Sequence, residues 1–489
     1  MLQDADALPQ LIGDYKPLDQ WQAHLNQLFY GLRGDKLRDY YQTFASADYR
    51  LAHALAADYY EQVSKREKGA KSGRSETTSV DPSNSSRESR LSSKSRLTVL
   101  ELGPGNGNLA ACFLSHLKTL DKTGRVYPRI RYLMVDPNQS VLDGALAHPD
   151  LAAHQGRVET RLGSFGHLDE VADGTVDRII GNELWNDLPT KLMARNADDL
   201  EEEYVRPNLT EGLHATIQDW SAFVRAFEAK DLDVLRTSPP FLDELVWEKE
   251  CRKVVWKDVS YRKTIVEFFR GIDPKILVPV NVGAFATLKE AKRLLAPDAI
   301  GFSAFDAGTA DRKVLNDPEK PCYGQFGGQY SFMINFDLVQ AVAGYLGMDE
   351  VHMEPQREFV GRSLNTNVIT LMDLLATHPS AGSNLETWEQ DRLVLRTIRA
   401  LNETFESPYS RTLHFPLAKR MPLEERETLN GILLSLKRHG IPDTVAYLTE
   451  EELMCAAKDL ETVGYDSDTI SIAFTAPPSP IEYYHCACR

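Results

Sequence analysis

The sequence lacks the features that mark several large classes of protein. It has only six cysteines in 489 residues, at positions 112, 251, 322, 455, 486 and 488, and this scatter does not suit a disulfide framework. No apolar run is long enough to span a bilayer. Basic residues number 55 against 71 acidic residues, a net charge of −16. The chain therefore lacks the basic surface of a general nucleic-acid binder.

These absences predict a cytoplasmic protein with reduced thiols, no membrane partner and no nucleic-acid partner. Residues 1–6 are acidic, whereas a secretory or mitochondrial presequence would be basic. Residues 485–488 hold one histidine and two cysteines, but a pair of thiols without a second pair is a weak metal pattern, so we predict no metal site. A chain of 489 residues has room for two or three domains.

What the sequence does have is a glycine-rich turn between two apolar segments. Residues 97–102 predict a buried strand and residues 109–120 predict a helix. The turn between them contains Gly103, Pro104, Gly105 and Gly107. A unit of strand, glycine loop and helix presents backbone N–H groups to a nucleotide-like ligand.

Two familiar ligands of such a turn do not fit this sequence. A dinucleotide fingerprint needs glycine at position 108, which is Asn108, and a phosphate loop needs Gly-Lys-Ser/Thr, which is missing. The remaining pattern, Glu-x-Gly-x-Gly-x-Gly, resembles motif I of class I S-adenosylmethionine-dependent methyltransferases. The resemblance implies that Glu101 holds the cationic amino-acid end of S-adenosyl-L-methionine. The alternative, a turn without a ligand, leaves a costly charge at the end of a buried strand.

Two further strands predict the rest of a cofactor site. Residues 130–135 end in Asp136 and Pro137, where an acid at the sheet edge can accept both ribose hydroxyl groups. A turn or helix N-cap is the alternative role for Asp136, because turn formers follow it. Residues 158–162 lead into Ser164 and Phe165, which by position border the adenine or form an ordinary turn.

The fourth predicted strand, residues 176–181, is followed by a polar cluster. Its members are Asn182, Glu183, Trp185 and Asp187. At the same sheet edge as the glycine loop, they should face the methyl group that is transferred. A helix N-terminus with a capping Asn182 and stabilising acids is the alternative, but it requires fewer acids than are present.

The two motifs together resemble the MidA family of S-adenosylmethionine-dependent methyltransferases. They read Glu-Leu-Gly-Pro-Gly-x-Gly-x-Leu and Asn-Glu-x-x-x-x-Leu-Pro, and residues 299–308 and 328–336 are similar to two later segments of the family. The resemblance covers about residues 97–375. It implies an α/β fold, with a Rossmann-like sheet and helices on both faces. It also implies methylation of an arginine in a protein substrate.

The expected chemistry assigns a role to each member of the polar cluster. Glu183 is the carboxylate that orients a guanidinium or amine and assists deprotonation of an amine. Asn182 supplies a hydrogen bond and contributes to the cofactor site, and Trp185 forms a wall for a cation. Asp187 is the second acid, in both the catalytic and the substrate-binding set.

Composition shifts divide the chain into four regions. We predict an N-terminal helical cap (residues 1–68), a mobile Ser-rich loop (69–96), a methyltransferase domain (97–375) and a C-terminal helical domain (376–489). An insertion at about 192–275 carries helices near 220–227 and 247–256. Its acidic run, residues 197–203, is either a solvated face or a surface that recruits a cationic substrate.

Three functions remain open from the sequence. The chain methylates a nitrogen of a protein, methylates a cationic or other small molecule, or binds the cofactor as an assembly factor without turnover. Hydride transfer is a more distant option. Partner binding and homodimer formation are the roles considered for the C-terminal helices.

Overall fold

The computed structural model describes residues 10–33, 48–72, 96–402 (apart from 198, 349 and 384), 408–409, 415, 417–418, 420–439, 447–477, 479 and 481–489. Most of the predicted Ser-rich loop lies outside the described residues, and residues 69–72 end a helix. Among the described helices, none combines the length and the apolar character that crossing a membrane requires.

Eighteen strands occur in the described part of the chain. They are β1 Gln10–Leu11, β2 Lys16–Pro17, β3 Leu97–Leu102, β4 Ile130–Asp136, β5 Val158–Leu162, β6 Arg178–Asn182, β7 Lys191–Asn196, β8 Asp199–Leu209, β9 Leu245–Lys253, β10 Val278–Val280, β11 Gly301–Thr309, β12 Tyr323–Phe326, β13 Gln329–Phe332, β14 Ile334–Asn335, β15 Val351–Pro355, β16 Val368–Thr370, β17 Tyr447–Thr449 and β18 Glu482–Cys488.

The described α-helices surround these strands. They are α1 Leu18–Arg33, α2 Arg50–Ser72, α3 Asn108–Leu120, α4 Gln139–Leu146, α5 Glu211–His214, α6 Trp220–Ala229, α7 Leu232–Thr237, α8 Arg262–Phe269, α9 Val282–Leu294, α10 Arg312–Leu315, α11 Phe336–Tyr345, α12 Gln356–Leu364, α13 Leu371–Ala376, α14 Thr387–Asn402, α15 Leu423–His439, α16 Glu450–Cys455, α17 Ala457–Glu461 and α18 Ser467–Thr475.

The central sheet is mainly parallel, as the sequence predicts. Its strand order is β15-β18-β11-β6-β3-β4-β5, and β14 pairs with β11 at one end. Strands β11, β6, β3, β4 and β5 pair in parallel, whereas β18 runs antiparallel to β11 and β15. Loops that follow the parallel strands therefore meet at one edge of this sheet.

Both faces of the sheet are buried, because helices cover each of them. All six residues of β3 are buried, and its neighbours Val99 and Leu100 pack into different hydrophobic clusters, as alternating strand residues do. Residues of α2 and α3 complete the cluster around Val99. Residues of α9 and α11 complete the cluster around Leu100. This confirms the predicted α/β fold with helices on both faces.

A second, antiparallel sheet occupies much of the predicted insertion. It joins β1, β2, β7, β8, β9 and β10, and α1 packs on it through Trp21 and Phe29. The prediction of a helix at 247–256 is wrong, because each residue of β9 pairs with a residue of β8. Cross-strand pairing decided this conformation, which the local sequence did not reveal.

The acidic run of the insertion lies on β8 and forms ion pairs. Glu202 contacts Lys191 at 2.6 Å, Asp199 contacts Lys253 at 2.6 Å, and Glu203 contacts Lys249 at 3.5 Å. Asp198 lies outside the described residues. Lysines of the same sheet thus neutralise three of these carboxylates, which favours the solvated face over the recruiting surface; recruitment of a substrate stays a prediction.

The predicted all-helical C-terminal region also contains strands. β18 lies in the central sheet between β11 and β15, and its Cys486 and Cys488 are buried. Nothing in residues 482–488 alone marks a strand in a distant sheet. The pairing partners lie at 301–309 and 351–355, so long-range contacts determine this element.

Candidate functional site

The candidate site lies at the carboxyl edge of the parallel strands. Backbone hydrogen bonds tie the loops to the neighbouring strands: the N–H of Gly103 donates to the carbonyl of Val135 at 2.9 Å, and that of Glu183 donates to the carbonyl of Phe305 at 2.7 Å. The glycine loop and the loop after β6 are therefore held side by side.

The glycine loop adopts a backbone conformation that suits glycine. Gly103, Gly105 and Gly107 all have positive φ, and a Cβ on Gly107 would overlap the carbonyl oxygen of Ala145. Pro104 is buried and its carbonyl accepts the N–H of Gly107 at 2.9 Å. A Cβ on Gly105 would meet nothing within 4 Å. The loop thus leaves open space beside Gly105, where a ligand can approach the backbone.

Glu101 is a buried carboxylate at the end of β3. It is 3% exposed and accepts a hydrogen bond from the hydroxyl of Tyr132 at 2.9 Å. Burial raises the pKa of Glu101 to about 7, although the hydrogen bond from Tyr132 opposes the shift. A cation beside Glu101 would favour its ionised form, which suits the predicted contact with an ammonium group.

Asp136 ends β4 close to the glycine loop. One of its oxygens accepts the backbone N–H of Asn138 at 2.8 Å, so the turn role considered for this acid is present. The cap of α4 is instead Asn138, whose side chain accepts the N–H of Ser140. Burial raises the pKa of Asp136 to about 7, and the neighbouring Pro137 is exposed.

The two residues predicted to border the adenine differ in their surroundings. Ser164 is exposed and forms an isolated bridge with His167, as a turn residue would. Phe165 is half-buried and lies 3.9 Å from the position of a Cβ on Gly103. Phe165 therefore contacts the rim of the glycine loop, whereas Ser164 shows only the turn role.

Asn182 and Glu183 form the turn that leaves β6. Glu183 has φ of 47°, a left-handed conformation that a side chain with Cβ adopts at a cost. Glu183 is 8% exposed, and its carboxyl lies 3.5 Å from the hydroxyl of Tyr483 on β18. The amide of Asn182 lies 3.5 Å from Glu183, and its Oδ1 is buried with no partner among the described residues.

Trp185 does not form the wall that the sequence predicts. The side chain is 1% exposed and belongs to the hydrophobic core. Its indole N–H donates to the hydroxyl of Thr287 at 2.8 Å. The ring is large and apolar, so it packs in the core beneath the loop and is not available to a cation.

Asp187 is held by two distant segments. Its carboxyl oxygens accept hydrogen bonds from the Tyr30 hydroxyl and from the amide of Gln329. Burial raises the pKa of Asp187 to about 7, and both hydrogen bonds oppose the shift. The acid that the sequence assigns to the site therefore lies in a polar pocket that α1 and β13 complete.

Asp306 is a buried acid of β11 to which sequence reasoning gave no role. It is 1% exposed, and it accepts the backbone N–H of Trp185 at 2.8 Å. Its Oδ1 has no partner within the described part of the chain. Burial and the charge of Glu183 raise the pKa of Asp306 well above its usual range. An acid directly after the largely apolar residues 302–305 was the available signal.

Three more residues of the site were also missed. Tyr30, Gln329 and Tyr483 reach the acids from α1, β13 and β18. No local pattern marks them, because their place depends on how three remote segments pack.

Comparison with families of known proteins gives a match over about a third of the chain. A family model described as "Putative S-adenosyl-L-methionine-dependent methyltransferase" matches residues 86–250. This range contains the glycine loop, Asp136 and the loop after β6. No curated protein matches the chain.

Solved structures with similar folds include two proteins from Burkholderia thailandensis. One, described as a superfamily member "and likely methyl transferase", is bound to S-adenosyl-homocysteine. Its sequence is 13% identical to this one, the alignment covers 75% of this chain and 77% of that chain, and the TM-score is 0.41. The other is an uncharacterized protein, 15% identical over 76% of this chain and 79% of that chain, with a TM-score of 0.41.

The match over residues 86–250 identifies an S-adenosyl-L-methionine-dependent methyltransferase region on the mainly parallel α/β sheet, with S-adenosyl-L-methionine as its cofactor. The residues at the sheet edge fit this molecule. Glu101 offers a buried carboxylate to a cation, Asp136 offers a carboxylate to hydroxyl groups, and the space beside Gly105 admits a ligand to the backbone.

Proposed function

We propose that the chain methylates a nitrogen atom of a protein substrate, a guanidinium or an amine. The observation that carries this proposal is the set of acids beyond the cofactor residues. Glu183 and Asp187 lie in the loop after β6, and Asp306 lies on the neighbouring strand β11. The charges of Glu183 and Asp187 both raise the pKa of Asp306. Ionised carboxylates only accept hydrogen bonds. They match a partner rich in N–H donors.

The cofactor residues fix where the reaction takes place. Glu101 would hold the amino-acid end of S-adenosyl-L-methionine, and Asp136 would hold the ribose. When bound, this cofactor supplies a methyl group on a sulfonium, which is electrophilic without further activation. The chain therefore needs to position a nitrogen and accept its proton.

Glu183 is the residue we assign to the acceptor nitrogen. It leaves β6 directly, its conformation is strained, and its carboxyl is nearly buried. Strained backbone at a nearly buried acid is common in active sites. An acceptor nitrogen releases one proton for each methyl group that it gains, and a Glu183 oxygen takes this proton. Asp306, with one oxygen unpartnered among the described residues, accepts a second N–H of the same group.

The resemblance to the MidA family supports the same substrate class. It implies a guanidinium of a protein, which is a planar group with five N–H donors. A guanidinium can meet several carboxylate oxygens at once. A small metabolite can carry the same group, so it is the resemblance to the MidA family that places the protein substrate first.

The test combines labelled cofactor with two kinds of extract. We expect the full chain to transfer labelled methyl groups to a nitrogen of a protein, located by mass spectrometry of peptides. Label found only in the metabolite fraction would replace the protein substrate by a small molecule. No transfer to either fraction would contradict the proposal and favour a role without turnover.

Glu183→Gln is the variant that tests the assigned residue. Gln keeps the size but cannot accept the proton, so we expect methyl transfer to fall at least about 100-fold. Binding of S-adenosyl-homocysteine, measured by calorimetry, should stay within about twofold. Glu67→Gln is the control, because Glu67 pairs with Arg129 before β4, at the opposite edge of the sheet. Retained turnover in Glu183→Gln would remove Glu183 from the mechanism.

A further inference from the structure

Helix α1 presents a row of polar residues to the loop after β6. Gln22, Asn26 and Tyr30 are spaced four residues apart and so share one face of the helix. Gln22 donates to the carbonyl of Asn186 at 3.3 Å and accepts the N–H of Thr190 at 2.7 Å. These bonds fix the helix on the loop that carries Glu183.

Asn26 connects the same helix to β13. Its amide donates to the carbonyl of Asp187 at 3.1 Å and to the carbonyl of Tyr330 at 2.9 Å, and its oxygen accepts the N–H of Tyr330 at 2.9 Å. Gln22 and Asn26 are 2% and 4% exposed. Buried polar groups that are paired in this way specify one arrangement of the segments.

The third residue of the row, Tyr30, reaches the carboxyl of Asp187. The Tyr30 hydroxyl donates to one oxygen of Asp187, and the amide of Gln329 donates to the other. Gln329 is fully buried, and its own carbonyl oxygen has no partner among the described residues. A buried acceptor without a partner is costly. It would be satisfied by a bound group that donates a hydrogen bond.

We propose that Tyr30 and Gln329 are positioning residues that hold the Asp187 carboxylate toward the methyl acceptor, and that the carbonyl of Gln329 accepts an N–H of that acceptor. This inference rests on the proposed function. It assigns the N-terminal helix and β13 to the acceptor side of the site. The ligand class is a nitrogen group with at least two N–H donors, such as a guanidinium or a protonated amine.

The charged surroundings of Asp187 determine how activity depends on pH. The titratable groups around it are Tyr30 from α1, which donates to it, and Asp306 from β11, which feels its charge; Glu183 and Asp136 act on Tyr30. Burial raises the pKa of Asp187, and the hydrogen bonds from Tyr30 and Gln329 lower it. Removal of the Tyr30 hydroxyl therefore raises the pKa of Asp187 above its value of about 7.

The experiment compares Tyr30→Phe and Gln329→Met with the unchanged full chain. If the Asp187 carboxylate binds the acceptor in its ionised form, transfer rises with pH near 7. In Tyr30→Phe we expect this rise to move to higher pH by about one unit. We also expect kcat/KM at pH 7 to fall about tenfold in both variants, mostly through KM for the acceptor. Tyr15→Phe is the control, because Tyr15 also donates to a carboxylate, that of Glu248 on β9.

Calorimetry with S-adenosyl-homocysteine distinguishes the acceptor side from the cofactor side without turnover. We expect both variants to bind it within about twofold of the unchanged chain. A tenfold loss of affinity for S-adenosyl-homocysteine in either variant would overturn the inference. So would an active Tyr30→Phe enzyme whose pH profile matches that of the unchanged chain. If the unchanged chain methylates no nitrogen, the proposed function is contradicted. Calorimetry then still tests whether Tyr30 and Gln329 lie outside the cofactor side of the site.

Discussion

Single residues at the sheet edge combine burial with charge. Glu101, Asp136 and Asp187 are carboxyls whose pKa burial raises to about 7, and burial also raises the pKa of Asp306 well above its usual range. The free-energy cost of ionising each of these buried acids falls when a cation or a hydrogen-bond donor occupies the site. Under the proposed function, the same burial that destabilises the free acids favours binding of a cationic cofactor and of an acceptor with several N–H donors.

Gly107 provides a test of the glycine loop at this scale. It has φ of 79°, and a Cβ would overlap the carbonyl oxygen of Ala145. We expect Gly107→Ala to lower the free energy of unfolding by about 2 kcal/mol or more, since strain and overlap add. Urea unfolding measures the change.

Gly144 is the matched control for that substitution. It lies in α4 beside Ala145, its Cβ position is open, and its φ is not positive. Gly144→Ala should raise stability by up to about 1 kcal/mol, because alanine favours the helix. Equal effects of the two substitutions would contradict the role of the left-handed conformation at Gly107.

At the scale of elements, β18 is held in the sheet by a buried polar chain. His485 lies 2.9 Å from the hydroxyl of Ser303 on β11 and 3.1 Å from the carboxyl of Glu354 on β15. Its ring stacks on Phe305 with 4.6 Å between the ring centres. Arg178 on β6 donates to Ser303 at 2.7 Å. The chain thus spans four neighbouring strands, and β18 carries Tyr483 to Glu183.

Removal of the His485 ring should cost far more than removal of an exposed one. His485→Ala leaves the hydroxyl of Ser303 and one oxygen of Glu354 without this partner and creates a cavity beside Phe305. We expect a loss of about 3 kcal/mol in the free energy of unfolding. The midpoint of chemical unfolding measures it.

His352→Ala is the control, because His352 also contacts Glu354, at 3.6 Å, but its side chain is 66% exposed. It should change stability by less than about 0.5 kcal/mol. Similar losses in both variants would show that contact with Glu354, and not the buried chain across the strands, sets the effect.

At the scale of the whole molecule, the site is assembled from segments far apart in sequence. Tyr30 comes from α1, Asp187 and Glu183 from the loop after β6, Gln329 from β13 and Tyr483 from β18. Residues 356–481, with helices α12 to α18, lie between β15 and β18, two neighbours in the central sheet. The segment between these two strands is therefore tied to the central sheet at both ends, and the predicted C-terminal region, residues 376–489, joins the sheet through β18.

A chain that ends at residue 376 should not fold on its own. It lacks β18, which pairs with both β11 and β15, so buried residues such as Phe302 and Phe305 lose their cover. We expect loss of near-ultraviolet circular dichroism and of S-adenosyl-homocysteine binding, because antiparallel pairing and core burial are removed together. Addition of a peptide of residues 481–489 should recover part of the signal, and a scrambled peptide should not. Full binding by the short chain would contradict this account.

Much of the parallel sheet was predictable from the sequence. The strands at 97–102 and 158–162 were predicted to the residue, and those at 130–136 and 178–182 within two residues. The helix after the glycine loop was also predicted. These elements carry long apolar runs or regular periodicity, which local sequence reports. The second sheet was not predicted, because its polar, alternating strands depend on pairing with each other.

The enzyme class could be inferred from the sequence because the motif behind it is local: Glu101, the glycines and Asp136, the residues proposed to hold the cofactor, lie in strands or in the turns that follow them. The proposed acceptor side depends on contacts between remote segments. Trp185 packs in the hydrophobic core, and Asp187 accepts hydrogen bonds from Tyr30 and Gln329. Tyr483, which lies beside Glu183, belongs to a strand about 300 residues further along the chain. The physical reason is that a buried polar group is specified by the partners that satisfy it, and these partners come from remote segments.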